Sequence, residues 1–271
     1  MSPAAAAAEA GVAVAVVTGA GRGIGAATVD LLVAAGWRVV AVDRSADDPD
    51  LDYSLSTKAD LEGVAGRHGA SVRTVVGDVR SASDMRAAVE EAVTHFGGLQ
   101  AAVAAAGVIS GGSRAWEIPD AQWDVQFDVN VKGVRNLAAA AVPALLEAPR
   151  PRQGRVVAIA STAGVLGLPR LSAYSASKHA VIGFVRSLAA DLAGSGITAN
   201  AVCPGSTRGP MLDASAAVYD LPSTDEFATH HLVQRLLEPA EPAALIAWLC
   251  GPASSGLTGA VLPVDGGMTA S

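Results

Sequence analysis

The run Thr18-Gly19-Ala20-Gly21-Arg22-Gly23-Ile24-Gly25 constrains this chain more than any other feature, because it joins an apolar stretch directly to an Ala/Leu-rich helical one. Glycines at such a junction let the backbone turn sharply and bring its amides close to a phosphate, which then sits at the positive end of the following helix. The same four glycines also suit a plain tight corner, so two readings stand: a nucleotide cradle and a strand-to-helix turn. Both require strand, loop and helix in that order.

That order repeats along the chain. Short apolar runs bounded by turn residues fall at Val12–Thr18, Arg38–Val42, Ser71–Val76, Ala101–Ala105, Gly154–Ala160, Thr198–Val202 and Ala260–Val264. Between them, apolar residues recur at helical spacing over Ala26–Ala35, Ala82–Phe96, Trp123–Leu146, Ala173–Ala193 and Pro239–Leu249. Parallel neighbours need crossover connections, so the alternation predicts an α/β fold: a doubly wound, Rossmann-type parallel sheet of seven strands with helices on both faces. One domain over residues 1–271 suffices for a core of this size. Residues 3–17 are rich in Ala and Val but lack a basic start and run into the glycine loop, so they read as a lead into the first strand, not a signal peptide.

A formal charge of −7 with no Lys/Arg cluster leaves no footprint for nucleic acid or an anionic membrane surface. Cys203 and Cys250 supply neither a disulfide framework nor a four-ligand zinc site, which points to a reducing cytoplasm and to chemistry without a metal. Two stretches break the periodicity. Ser45–Asp60 is polar and acidic, too long for an ordinary turn, and reads as an inserted surface loop. Residues 206–232 carry Pro210 and Pro222 and read as a lid over a substrate; within it the His230-His231 pair, without Cys or carboxylate partners, reads as surface.

Asp43 closes the second strand eighteen residues after Gly25, where a carboxylate would accept the ribose hydroxyls of a dinucleotide and repel the extra phosphate of NADP. A solvated Asp before a loop is the other reading, and the neighbouring Arg44 suits a phosphate. Tyr174 and Lys178 are four residues apart, on one helix face. An ammonium beside a phenol of ordinary pKa about 10 stabilises the phenolate, so the pair predicts an acid/base tyrosine of lowered pKa. In isolation the pair also fits a half-buried Tyr and a solvated Lys on an amphipathic helix.

Taken together, the TGxxxGxG loop, Tyr174-x-x-x-Lys178, Ser161 thirteen residues before Tyr174, and Asn130 within Phe127-Asp128-Val129-Asn130-Val131 resemble the short-chain dehydrogenase/reductase family across residues 12–268. The resemblance implies an NAD-dependent enzyme interconverting a secondary alcohol and a ketone. In it Tyr174 is the acid/base, Lys178 lowers the phenol pKa and binds the nicotinamide ribose, Ser161 orients the reacting oxygen, and the Asn130 backbone holds a water in the proton relay. NAD would be contacted by Gly19, Gly21, Arg22, Gly23, Ile24 and Gly25, by Asp43 and Arg44, and at adenine by Asp78-Val79, although Asp78 also suits a helix cap. It would further contact Ala105, Ala106 and Gly107, where the family usually has Asn-Asn-Ala-Gly over residues 104–107, and Pro204, Gly205 and Thr207 at the carboxamide. Gly209 stands where the family commonly has Thr, and Val264-Asp265-Gly266-Gly267 matches a tail that often supports a homotetramer.

Asp47–Tyr53, His230–Val233 and Leu236–Glu241 are further similar to the mycofactocin-associated branch, where an insertion after the second strand covers the cofactor. That resemblance implies NAD held through turnover, with mycofactocin as its electron acceptor; a surface loop with no effect on exchange is the alternative. Other readings are a freely exchanging NAD(P)-dependent reductase of ketones or 3-oxoacyl-carriers and a non-catalytic dinucleotide sensor. Trp116, Val165, Leu166, Leu168, Met211 and Leu212 suit either an apolar pocket for a hydrophobic substrate or core packing.

Overall fold

The structure, a computed structural model, describes residues 12–270. The lead-in over residues 3–11 lies outside the described residues. Strands β1 (Val14–Thr18), β2 (Arg38–Asp43), β3 (Val72–Val76), β4 (Ala101–Ala104), β5 (Arg155–Ile159), β6 (Thr198–Pro204) and β7 (Val261–Val264) form one parallel sheet in the order β3-β2-β1-β4-β5-β6-β7. The apolar runs are continuous because both faces of the sheet are buried. In β1, Val14 and Val16 point into one core while Ala15 and Val17 point into the other.

Helices α1 (Gly23–Ala34) and α2 (Lys58–His68) cover one face with α8 (Ala240–Cys250); α3 (Ala82–Phe96), α5 (Gly133–Glu147) and α6 (Ser172–Asp191) cover the other. Two shorter helices, α4 (Asp120–Gln126) and α7 (Pro210–Val218), lie near the strand ends. No helix among the described residues is long and apolar enough to cross a membrane.

Four sequence expectations need correction. The first strand starts at Val14, not Val12, which is half exposed. The inserted loop ends at Thr57, because α2 begins there on a capping box in which Thr57 and Asp60 bond each other's backbone amides. The stretch Trp123–Leu146 is not one α-helix: a π-helical turn at Phe127–Lys132 separates α4 from α5. The lid is partly regular, with Pro210 at the start of α7 and a 3₁₀ turn at Thr224–His230.

Candidate active site

The strand order reverses between β1 and β4, and in open parallel sheets the crevice beyond the strand ends at such a point is where ligands bind. A cavity of about 990 Å³ opens there. One end is formed by the glycine loop. The Gly25 backbone packs so tightly on Gly19 that a Cβ added to Gly25 would lie 2.1 Å from the Gly19 carbonyl oxygen. Gly23 sits at φ +58° with nothing within 4 Å of its Cβ position, so the first turn of α1 faces open cavity. Gly21 points elsewhere: it does not line the cavity, and its N–H donates to Asp43 Oδ2 at 2.9 Å.

Asp43 lines the cavity and is held from three sides. Oδ2 accepts from Gly21, and Oδ1 accepts from the Ser45 N–H at 3.2 Å and from the Ser56 hydroxyl. An ionised carboxylate accepts about four hydrogen bonds, so Oδ2 keeps a lone pair for a ribose hydroxyl. Arg44 also lines the cavity, with its charge shared by the buried Asp48 and by Asp78 at 3.5 Å. Arg80 completes the square, 2.9 Å from Asp48 and 2.7 Å from Asp78. Burial alone would raise the Asp48 carboxyl, but the Asp50 N–H, the Arg44 bond and the Arg80 charge together hold it below the ordinary carboxylate range. The cap of α3 is Ser81, which accepts from the Asp84 N–H at 3.2 Å, so Asp78 belongs to this charge cluster and not to the cap. Asp78 and Val79 both line the cavity.

The segment between β2 and α2 therefore lies across the crevice. Asp48 anchors it at the Arg44–Arg80 end, Ser56 anchors it on Asp43, and the Tyr53 hydroxyl accepts the Ile109 N–H at 3.1 Å near the opposite end. Composition reads this stretch as a surface loop and the branch resemblance reads it as a cover over the cofactor; neither gives Tyr53 a role of its own, for which an aromatic residue inside a run of acids was the available signal. Where the family's Asn side chains are missing after β4, the Thr18 hydroxyl accepts the N–H groups of Ala105 and Ala106 at 3.2 and 3.3 Å.

The other end of the cavity gathers Ser161, Tyr174 and Lys178. Ser161 follows β5; its hydroxyl accepts from the Ala163 N–H at 3.1 Å and keeps its own proton to donate. Tyr174 and Lys178 share the inner face of α6, and Lys178 Nζ donates to the Ile159 carbonyl at 3.0 Å, 5.7 Å from the centre of the Tyr174 ring. Asn130 is buried in the π-helical turn and does not line the cavity. Its side chain grips Val108, accepting that residue's N–H at 2.8 Å and donating to its carbonyl at 3.0 Å. It also donates to Ser177 Oγ, which in turn bonds the Tyr174 carbonyl at 2.8 Å. Asn130 thus fixes the β4 exit against α6.

Charge in this pocket runs opposite to the sequence expectation. Burial pushes the Tyr174 phenol up to about 12, against the pull of the neighbouring Ser161 hydroxyl, and pushes the Lys178 ammonium down to about 8. Burial is the largest cause of both shifts. At neutral pH both groups keep their protons.

Pro204, Gly205, Ser206 and Thr207 line the cavity beyond β6. The turn is fixed from behind by His231, which is 1% exposed and is no surface residue as the sequence implied. Its Nε2 accepts the Ser206 N–H at 3.1 Å while Nδ1 donates to the Arg235 carbonyl at 2.6 Å, a tautomer assigned from these partners. Of the apolar candidates, Leu166, Leu168, Met211 and Leu212 line the cavity; Trp116, 76% exposed beneath Arg114, and Val165 do not.

The family model described as enoyl-(acyl carrier protein) reductase matches residues 19–269, which span both the glycine cradle and the Ser161–Tyr174–Lys178 end. The chain belongs to the short-chain dehydrogenase/reductase family. Among short-chain dehydrogenases/reductases, a 2,5-dichloro-2,5-cyclohexadiene-1,4-diol dehydrogenase of Sphingobium indicum is 35% identical over 247 residues, 91% of this chain and 93% of that one. A monensin polyketide synthase putative ketoacyl reductase of Streptomyces virginiae is 36% identical over 254 residues, 90% and 92% of the two chains. The crystal structure of carveol dehydrogenase from Mycobacterium avium in complex with NAD superposes with a TM-score of 0.90 at 29% identity, over 96% of this chain and 99% of that one.

Proposed function

We propose that this short-chain dehydrogenase/reductase is an NAD-dependent oxidoreductase that interconverts a small hydrophobic secondary alcohol and its ketone. The observation that carries the reading is the convergence of Ser161, Tyr174 and Lys178 on the cavity that holds the glycine cradle and Asp43. The residues fit the dinucleotide: Gly23 leaves open space at the start of α1, and the Asp43 carboxylate keeps an acceptor while Arg44 is neutralised by Asp48 and Asp78, which favours NAD over NADP. Bound NAD supplies the hydride acceptor that no side chain provides. In ketone reduction the Ser161 hydroxyl donates to the substrate oxygen and holds it beside Tyr174 Oη, whose protonated phenol gives that oxygen its proton; in alcohol oxidation the phenol first releases its own proton to solvent and, as phenolate, takes the substrate's hydroxyl proton. Lys178 keeps its positive charge beside the phenol and, held by the Ile159 carbonyl, would bind the nicotinamide ribose with its remaining N–H groups.

We further propose that NAD stays bound through turnover and that mycofactocin takes the electrons. The three ties of segment 45–57, at Asp48, Ser56 and Tyr53, support retention of NAD, because a nucleotide beneath that segment leaves only after they part; the acceptor rests on the sequence resemblance of that segment. Purified protein, dialysed extensively and then denatured, is expected to release about one NAD per chain on mass spectrometry. Empty protein that turns over added NAD would leave an ordinary exchanging dehydrogenase.

Reduction of an acyl-carrier ketone is the second reading, favoured by the similarity to a ketoacyl reductase. On the lid, however, Arg208 is committed to Asp225 and Glu238, which weakens its pull on an acidic carrier. A cytoplasmic homotetramer completes the proposal: Trp123, Leu146 and Trp248 are large apolar side chains exposed by 39, 37 and 45% on three helices, and light scattering should give four times the chain mass.

A further inference from the structure

Tyr53 is the one aromatic residue of a segment rich in acids, and its ring is carried inward, not laid on the surface. It shares an apolar cluster with Ile109, Leu171 and Tyr174, flanked by Leu168 and Met211. The Tyr53 ring lines the same cavity as the catalytic residues, and its hydroxyl is fixed by the Ile109 N–H two residues past Gly107. Met211 closes the same volume from the lid, its sulfur 4.0 Å from Tyr174 Oη. The substrate end therefore has walls from three separate parts of the chain: the insertion, the loop after β5 and the lid.

We propose that Tyr53 is a specificity-determining residue, a rigid aromatic wall that with Leu168 and Met211 restricts the site to secondary alcohols about one ring in size. The assignment rests on the dehydrogenase reading. A ring packed in an apolar cluster and tied at its hydroxyl selects by shape, and differences of one methylene against such a wall are worth roughly 10- to 200-fold in kcat/KM.

The test compares wild type with Tyr53→Ala, Tyr53→Leu and Tyr53→Phe on cyclohexanol, carveol and decahydro-2-naphthol. Turnover is followed with a two-electron dye and, in parallel, with added NAD; every rate is normalised to nucleotide content. Binding of cyclohexanone and 2-decalone is measured by calorimetry as a readout independent of turnover. Tyr53→Ala and Tyr53→Leu are expected to move the ratio of kcat/KM towards the bicyclic alcohol by about tenfold or more, chiefly through KM, with calorimetric affinities shifting the same way. Tyr53→Phe, which keeps the ring, should restore the wild-type ratio. An unchanged ratio in both the Ala and Leu variants would overturn this role alone. Wild type that oxidises none of the three alcohols and binds neither ketone would remove the dehydrogenase reading and this assignment with it.

Discussion

Tyr174→Phe is expected to slow hydride transfer by about 10²- to 10⁴-fold, the range typical of losing a positioned general acid/base. The substitution removes one oxygen from a buried ring and leaves the packing of α6 on Ile109 and Leu171 in place. Nucleotide content and melting temperature should stay near wild type. The check is a single turnover followed by the near-ultraviolet absorbance of reduced nicotinamide. Full-rate reduction in the variant would show that the proton moves through another group. The pocket makes the loss severe: with the phenol pushed up to about 12, Tyr174 carries its proton at neutral pH and is poised to donate it to a ketone oxygen. Phenylalanine has no proton to give, and the Ser161 hydroxyl, far weaker as an acid, cannot replace it.

The second large effect concerns the cradle. In Gly25→Ala the new methyl group would stand 2.1 Å from the Gly19 carbonyl oxygen and 2.8 Å from its carbon, both backbone atoms that no rotamer change can move aside. The loop must open or α1 must shift. Either outcome is expected to lose more than about 4 kcal/mol, in the class of changes that stand out from ordinary point mutants, and to strip the protein of nucleotide. Gly23→Ala is the internal contrast. Its Cβ meets nothing within 4 Å, so the protein bears only the left-handed backbone at φ +58°, about 1–2 kcal/mol. Thermal unfolding and nucleotide content of the two variants measure the difference; a Gly25→Ala protein that melts with wild type and retains its nucleotide would contradict the packing described.

Much of the architecture was legible because it is written locally. Strands buried on both faces must be apolar throughout, and the glycine loop had to join a strand to a helix, so sheet and cradle could be placed from residue order alone. What escaped depends on partners distant in sequence. In α2 only Leu61 and Val64 are buried, too thin a stripe for a periodic signal, and the Thr57–Asp60 capping box was the cue passed over. The π-helical turn carries Asn130, whose partners Val108 and Ser177 lie 22 and 47 residues away, beyond the reach of a local periodic signal. His231 looked exposed beside His230 because nothing in a lid's composition reveals that the turn at Ser206 will close over it. The direction of the Tyr174 and Lys178 shifts likewise depends on depth, which a four-residue spacing does not encode.

The charge square beneath segment 45–57 carries a lesson for anyone who would transplant that segment into a relative. Asp48 lies buried between two guanidinium groups, but only Arg44 travels near it in the chain; Arg80 belongs to the recipient scaffold, at the start of the third crossover. A recipient with a neutral residue at that position would inherit a buried carboxylate missing half its counterions, and such a group drives a graft outward into water. The module is therefore portable only as a pair of pieces, the fourteen-residue segment 44–57 and its remote arginine.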